Sequence, residues 1–130
     1  MTLPPAVLVF IGGCLGGGAR MAIDALLGDW TVPWEIVAIN VVGSFALGGV
    51  AAHTARHGVA AWTPLVSTGA LGGFTTFSAI AAMGWTAEIT PAQAVAVLAL
   101  NLVSAVLAAA VGWRVVDRHA PAASLTESDL

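Results

Sequence analysis

The sequence contains no lysine, and charged residues of every kind make up only 8% of its 130 residues. A soluble domain carries about 25%, so a soluble fold of this size could not cover its surface with polar groups. Hydrophobic residues reach 58% and mean hydropathy is +0.93; the surplus apolar surface is predicted to face lipid. A net charge of −3 without lysine argues against nucleic acid as a partner. The single cysteine, Cys14, cannot form an intrachain disulfide and says nothing about redox compartment. Lying among glycines, it reads as a small packing residue. The N-terminus lacks the basic region of a cleavable signal peptide, and Arg20 follows its apolar stretch where a small-residue cleavage pattern would stand. It reads as a retained first span.

What is present is a series of apolar stretches. A spanning helix takes about 20 apolar residues. Four such stretches are expected, at about 5–27, 33–53, 62–87 and 91–116, and with short loops they leave no room for a soluble catalytic domain. Pro5, Pro33, Pro64 and Pro91 fall at or near the starts, where a missing N–H costs nothing. Residues 118–130 form a polar tail rich in alanine and serine, predicted to be disordered. The five tryptophans, Trp30, Trp34, Trp62, Trp85 and Trp113, all fall where this partition puts a membrane–water interface, the depth their half-polar rings favour. Arg56 follows the second stretch, and Arg114 and Arg118 follow the fourth, so the positive-inside rule places both termini in the cytoplasm. The expected fold is therefore an all-α membrane protein with four transmembrane helices.

Glycines cluster in the first two stretches, where small residues three and four apart let helix backbones approach closely in lipid. The deep parts of all four stretches carry no Asp, Glu, Lys or His. Arg20 is the nearest exception, with Glu35 and His53 near the rims of the second. A proton-coupled exporter needs a titratable group at mid-membrane, which counts against a small multidrug-type exporter. The spans offer neutral hydrogen bonding instead: Asn40 and Ser44, then Thr75, Thr76 and Ser78, then Asn101 and Ser104. Each alone would serve to join helices. Together they suit a path along which an ion exchanges water for dipoles without being trapped by a full charge.

The densest pattern is Gly69-Ala-Leu-Gly-Gly-Phe-Thr-Thr-Phe-Ser78, in the middle of the third stretch. Adjacent glycines followed by two threonines make a poor helix centre, so the helix is predicted to break at 72–76. A break inside a membrane frees carbonyls that can hold a cation and N–H groups that can face an anion. Phe74 and Phe77 beside it could offer an anion their positive ring edges.

These residues resemble those of the Fluc (CrcB) fluoride channels over roughly residues 8–113. Gly12-Gly-Cys-Leu-Gly-Gly-Gly-Ala-Arg20-Met looks like the family's glycine-rich first span, Asn40-Val-Val-Gly-Ser-Phe-Ala-Leu-Gly48 like its second, and Gly72-Gly-Phe-Thr-Thr-Phe-Ser78 like its third-span signature. The resemblance implies an antiparallel, dual-topology-type dimer in the cell membrane, with passive, fluoride-selective export that protects against fluoride toxicity. A structural sodium ion would lie at the dimer centre, held by backbone carbonyls of Gly72 and Thr75. Asn40 would orient a pore phenylalanine and donate to the ion path, Phe77 would be a pore phenylalanine, Ser78 and Ser104 would belong to a polar track, and Arg20 would act in the vestibule or the interface.

Four positions depart from the family. Ile80 stands where a second pore phenylalanine is expected, Ala79 where a threonine is, and Glu35-Ile36 where a Gly-Thr pair is common. Losing one aromatic edge and one hydroxyl should weaken anion stabilisation in whichever pore Ile80 lines. Together with the one-sided arginines, this fits a subunit that pairs with a paralogous partner, and a homodimer is the alternative. A multidrug-type coupled exporter and a non-transporting membrane subunit are the competing functions. No enzyme is expected: His53, His57 and His119 have no metal-ligand spacing.

Overall fold

The computed structural model describes residues 3–27, 34–76, 78–79, 82 and 89–118, and among them there are helices and no strand. Helix α1 is Pro5–Leu27, α2 is Trp34–His57, α3 is Leu65–Phe74 and α4 is Pro91–Arg118. At 23, 24 and 28 residues, α1, α2 and α4 each exceed the about 20 residues that a hydrocarbon core of about 30 Å requires. All three are also apolar enough to cross one. The second and fourth helices run further than the expected limits of 53 and 116. Backbone hydrogen bonding does not stop where the apolar stretch does, and both extensions are polar.

Local chemistry sets several of these limits. Helix α2 ends at Gly58, whose φ of 82° is a left-handed conformation natural to glycine. The Gly58 N–H donates to the Thr54 carbonyl at 2.9 Å and closes the last turn. Helix α4 opens on Thr90-Pro91-Ala92-Gln93. Gln93 Oε1 accepts the Thr90 N–H at 2.9 Å while Thr90 Oγ1 accepts the Gln93 N–H at 3.3 Å, a reciprocal cap with proline at the first helical position.

The helices pair as α1 with α3 and α2 with α4, each pair running in the same direction. Along the first seam, Gly12 lies against Leu65 and Gly69, and Gly16 against Ala70 and Phe74. Along the second, Asn40 meets Asn101, Gly48 meets Ala109, and Arg56 meets Asp117. The approach is backbone on backbone. A Cβ at Gly16 would overlap the Ala70 carbonyl, one at Gly48 the Ala109 carbonyl, and one at Gly112 the Phe45 carbonyl. Because α2 and α4 point the same way, residues 58–90 must carry the chain back to the end at which α2 began.

Few side chains are buried within the single chain: Ile36, Ile39, Ala52, Val97 and Ala105 are the apolar ones on α2 and α4. Large apolar residues point outward instead, including Phe10 at 72% exposure and Leu26 at 81%. An outside richer in large apolar groups than the inside is what a lipid-facing bundle requires. The expected interface residues Trp30 and Trp85, the second-span start at Pro33, the third stretch beyond residue 82 and the tail after Arg118 lie outside the described residues.

Candidate functional site

Helix α3 is irregular from its start. Leu65–Leu71 is wound as a π-helix, and a single α-turn, Gly72–Phe74, follows. The chain then leaves the helix at Thr75, which is extended (φ −80°, ψ 147°). Ser78 and Ala79 are helical again. The departure thus falls within the expected 72–76 window, at its C-terminal end: Gly72 still has ordinary helical angles (φ −66°, ψ −36°). Glycine lowers helix stability without obliging a break. Thr75, by contrast, bonds its own preceding turn, its hydroxyl donating to the Leu71 carbonyl at 3.0 Å beside its own N–H.

The groups released at the break are taken up by Asn40 on α2. Its Oδ1 accepts the Thr76 N–H at 2.7 Å, and its Nδ2 donates to the Thr76 carbonyl at 2.6 Å. The same Nδ2 donates its other hydrogen to Asn101 Oδ1 on α4, at 3.0 Å. Asn40 is 1% exposed and Asn101 0%. Space for this clasp is made by Gly43, one turn further along α2, where a Cβ would lie 2.5 Å from Thr75 Cγ2. In an unbroken helix the Thr76 N–H would bond the Gly72 carbonyl; with that N–H turned to Asn40, the Gly72 carbonyl loses its ladder partner.

The remaining expected residues are placed as follows. Ser104, half-buried on α4, donates back to the Asn101 carbonyl at 3.1 Å. Ser78 is exposed, and its hydroxyl lies 3.2 Å from that of Thr76. Gly72 is exposed and Thr75 half-buried. Arg20 is half-buried on α1, with a buried Nε that has no partner among the described residues. Phe77 and Ile80 lie outside the described residues. Two features go beyond what the sequence pattern indicates. Asn101 is the third member of the clasp and not simply one polar residue among several; the signal was that the chain has two asparagines, each deep in an apolar stretch. Glu35, in the first turn of α2 as its rim placement implies, is buried to 9% exposure, with one carboxylate oxygen that has no partner among the described residues.

Among the described residues, the side-chain hydrogen bonds that tie helices together away from their ends are all neutral, amide to peptide and amide to amide. The ionic one, Arg56 with Asp117, joins the exposed C-terminal ends of α2 and α4. Long apolar helices sealed by backbone contacts around a small uncharged polar centre define a multi-pass helical membrane protein.

Residues 7–113 match the family described as CrcB-like protein, Camphor Resistance (CrcB), and the chain belongs to that family. Similar proteins include three that carry the name fluoride-specific ion channel FluC. That of Paracoccus denitrificans is 43% identical over 75 residues, covering 56% of this chain and 60% of its own length. FluC 2 of Nitrobacter hamburgensis is 37% identical over 111 residues, 82% of this chain and 88% of its own. FluC 1 of Rhodococcus jostii is 35% identical over 115 residues, 88% of this chain and 87% of its own. The match to the Paracoccus protein thus spans under two thirds of that relative, while the other two are matched over most of their length.

Proposed function

We propose that this chain is a subunit of a fluoride-selective channel that lets fluoride leave the cell passively across the cell membrane, and that it is not an enzyme. The observation that carries the reading is the clasp of Asn40 on Thr76 and Asn101, an uncharged donor-rich centre in an apolar bundle. Relatives named as fluoride-specific channels supply the ion. Fluoride holds its water tightly and crosses only where donors replace that water, while a fixed positive charge at the same depth would trap it. Hydrogen fluoride enters uncharged and dissociates inside. Each exported anion then gains about 2.3 kcal/mol per 100 mV of inside-negative potential, so a passive route suffices.

In this reading the chain makes four crossings, the third interrupted at Thr75–Thr76. The same-direction pairing of α2 with α4 supports that count. Both termini then lie in the cytoplasm. Two copies, or this chain and a paralogous partner, lie antiparallel. The Gly72 and Thr75 carbonyls, both at the interruption, suit an alkali cation by donor chemistry; two from each subunit would offer a sodium ion four oxygens. Phe77 and Ser78 belong to the ion path with Ser104 of α4, and Arg20 serves the vestibule or the interface. Ile80 and Ala79 weaken one pore, which favours the heterodimer. Relatives bearing the numbers 1 and 2 suit organisms that carry a pair.

The test is fluoride release from loaded vesicles, read with a fluoride electrode, for the chain alone and for the chain with its paralogue. Rapid, chloride-excluding release from the pair and slow release from the chain alone are expected. Rapid release from the chain alone would establish the homodimer. No release from either preparation would remove the channel reading. The competing coupled exporter has no mid-membrane carboxylate to use and would have to rely on Glu35, buried in the first turn of α2. That competitor requires flux to depend on a proton gradient and to fail in Glu35→Gln.

A further inference from the structure

The buried polar centre holds one donor group that no described residue engages. Asn101 is 0% exposed, and its Nδ2 has no hydrogen-bond partner among the described residues. A buried N–H pair left bare is uncommon and costly, so its presence asks for an acceptor.

The orientation of this amide follows from the backbone. At the break, Thr76 presents one N–H and one carbonyl to Asn40, and these can be matched in only one way: Oδ1 to the N–H at 2.7 Å and Nδ2 to the carbonyl at 2.6 Å. Asn40 Nδ2 then has a single hydrogen left, which points at Asn101. Asn101 must answer with Oδ1, because the opposite flip would set two donors against each other. The N–H and carbonyl of Thr76, just past the end of α3, are thereby read by Asn40 and fix the Asn101 N–H pair away from Asn40. Asn40 itself has no N–H left to give.

We infer that Asn101 is the amide that touches the permeating anion, and that Asn40 is a positioning residue acting through it. The inference rests on the fluoride-channel reading and assigns the contact to α4. The group suits an anion for three reasons. It presents two N–H donors on the side turned away from Asn40, while its oxygen faces the Asn40 amide, so that edge suits an anion and not a cation. It is neutral, so it releases what it binds. And it is held by two other helices, so donating costs little reorganisation. Ser104, one turn along, is turned back to the Asn101 carbonyl and steadies that turn of α4.

The chain has two asparagines, which makes the test direct. Label the full chain with ¹⁵N-asparagine, in whichever dimer conducts, and titrate fluoride against a constant chloride background. The Asn101 side-chain signals are expected to move with fluoride while those of Asn40 move less. A stationary Asn101 would overturn the inference, whether because its N–H pair is taken by the second subunit or because the ion passes elsewhere. In parallel, Asn101→Asp keeps an oxygen for Asn40 and removes the N–H pair. Fluoride release should fall at least about tenfold, the effect of losing one hydrogen bond to a charged group, and wild-type release from this variant would also overturn it. Should Asn101→Asp fail to assemble, the titration of the unaltered protein decides. Absent fluoride release from unaltered protein would instead defeat the channel reading itself.

Discussion

Asn40 treats Thr76 as one peptide group treats another, accepting its N–H at 2.7 Å and donating to its carbonyl at 2.6 Å. A side chain of α2 thus supplies what the helix ladder of α3 gives up. In lipid a broken helix persists only when its freed groups are satisfied in this way. The clasp accounts for both the cost of the interruption and its position.

Removing the clasp should therefore cost stability before it costs selectivity. Asn40→Ala leaves both polar groups of Thr76 and the Asn101 oxygen without partners. Loss of at least about 2 kcal/mol is expected, seen as a lower unfolding temperature in detergent. Asn40→Asp is nearly the same shape and retains the acceptor, but it removes both donors and adds negative charge at the centre. Fluoride release should fall at least about tenfold with a smaller stability loss; unaltered release would detach Asn40 from the ion route.

The close helix seams predict a steep size dependence. Gly16→Leu and Gly48→Leu place side chains where the Ala70 and Ala109 carbonyls already lie. Each should abolish a monodisperse size-exclusion peak. At Gly13 a Cβ would meet no neighbour within 4 Å, and Gly13→Ala should leave that peak intact.

Gly43→Val should move the break itself. Its side chain would collide with Thr75 Cγ2 and with Phe74 Cδ1, 2.5 and 3.2 Å from the position of a Cβ. The expected outcome is an assembled protein with reduced fluoride release, because the clasp cannot close over the added methyls. Wild-type release would show that α2 and the break separate without penalty.

The Arg56–Asp117 pair should matter little. Both side chains are substantially exposed, at 35% and 50%, and exposed ion pairs contribute about 0–1 kcal/mol. Arg56→Gln should change the unfolding temperature only slightly, and less at high salt, although Arg56 also reaches the Asp117 carbonyl at 3.0 Å.

If the Gly72 and Thr75 carbonyls hold sodium, the protein should be stabilised in proportion to its concentration, as any ligand of the folded state stabilises it. The unfolding temperature should rise with sodium chloride and not with N-methyl-D-glucamine chloride at equal ionic strength. Identical curves would remove the ion from the proposal.

The apolar stretches, the proline starts and the importance of the third-stretch glycines and threonines could all be read from the residues, because each depends on local composition. Asn40 was equally legible: an amide deep in a hydrophobic run has few reasons to be there. What could not be read was partnership. That the chain leaves the helix at Thr75, at the far end of the 72–76 window, depends on where Asn40 sits across a seam, which no local propensity encodes. For the same reason Asn101 looked like one more helix-joining residue. Its distinction is a hydrogen bond it does not make, visible only once the neighbours are in place. Glu35 stands in the first turn of α2, at the rim its place in the sequence indicates; that packing encloses it there depends on neighbours from other helices.

The order of the chain gives the clasp a further consequence. Asn40 emerges from the ribosome 36 residues before Thr76 and 61 before Asn101. During synthesis its amide reaches the bilayer before either mate stands beside it, so the second helix cannot settle early. Final consolidation waits for the last helix. A chain truncated ahead of it would present quality-control proteases with an amide still seeking its partners.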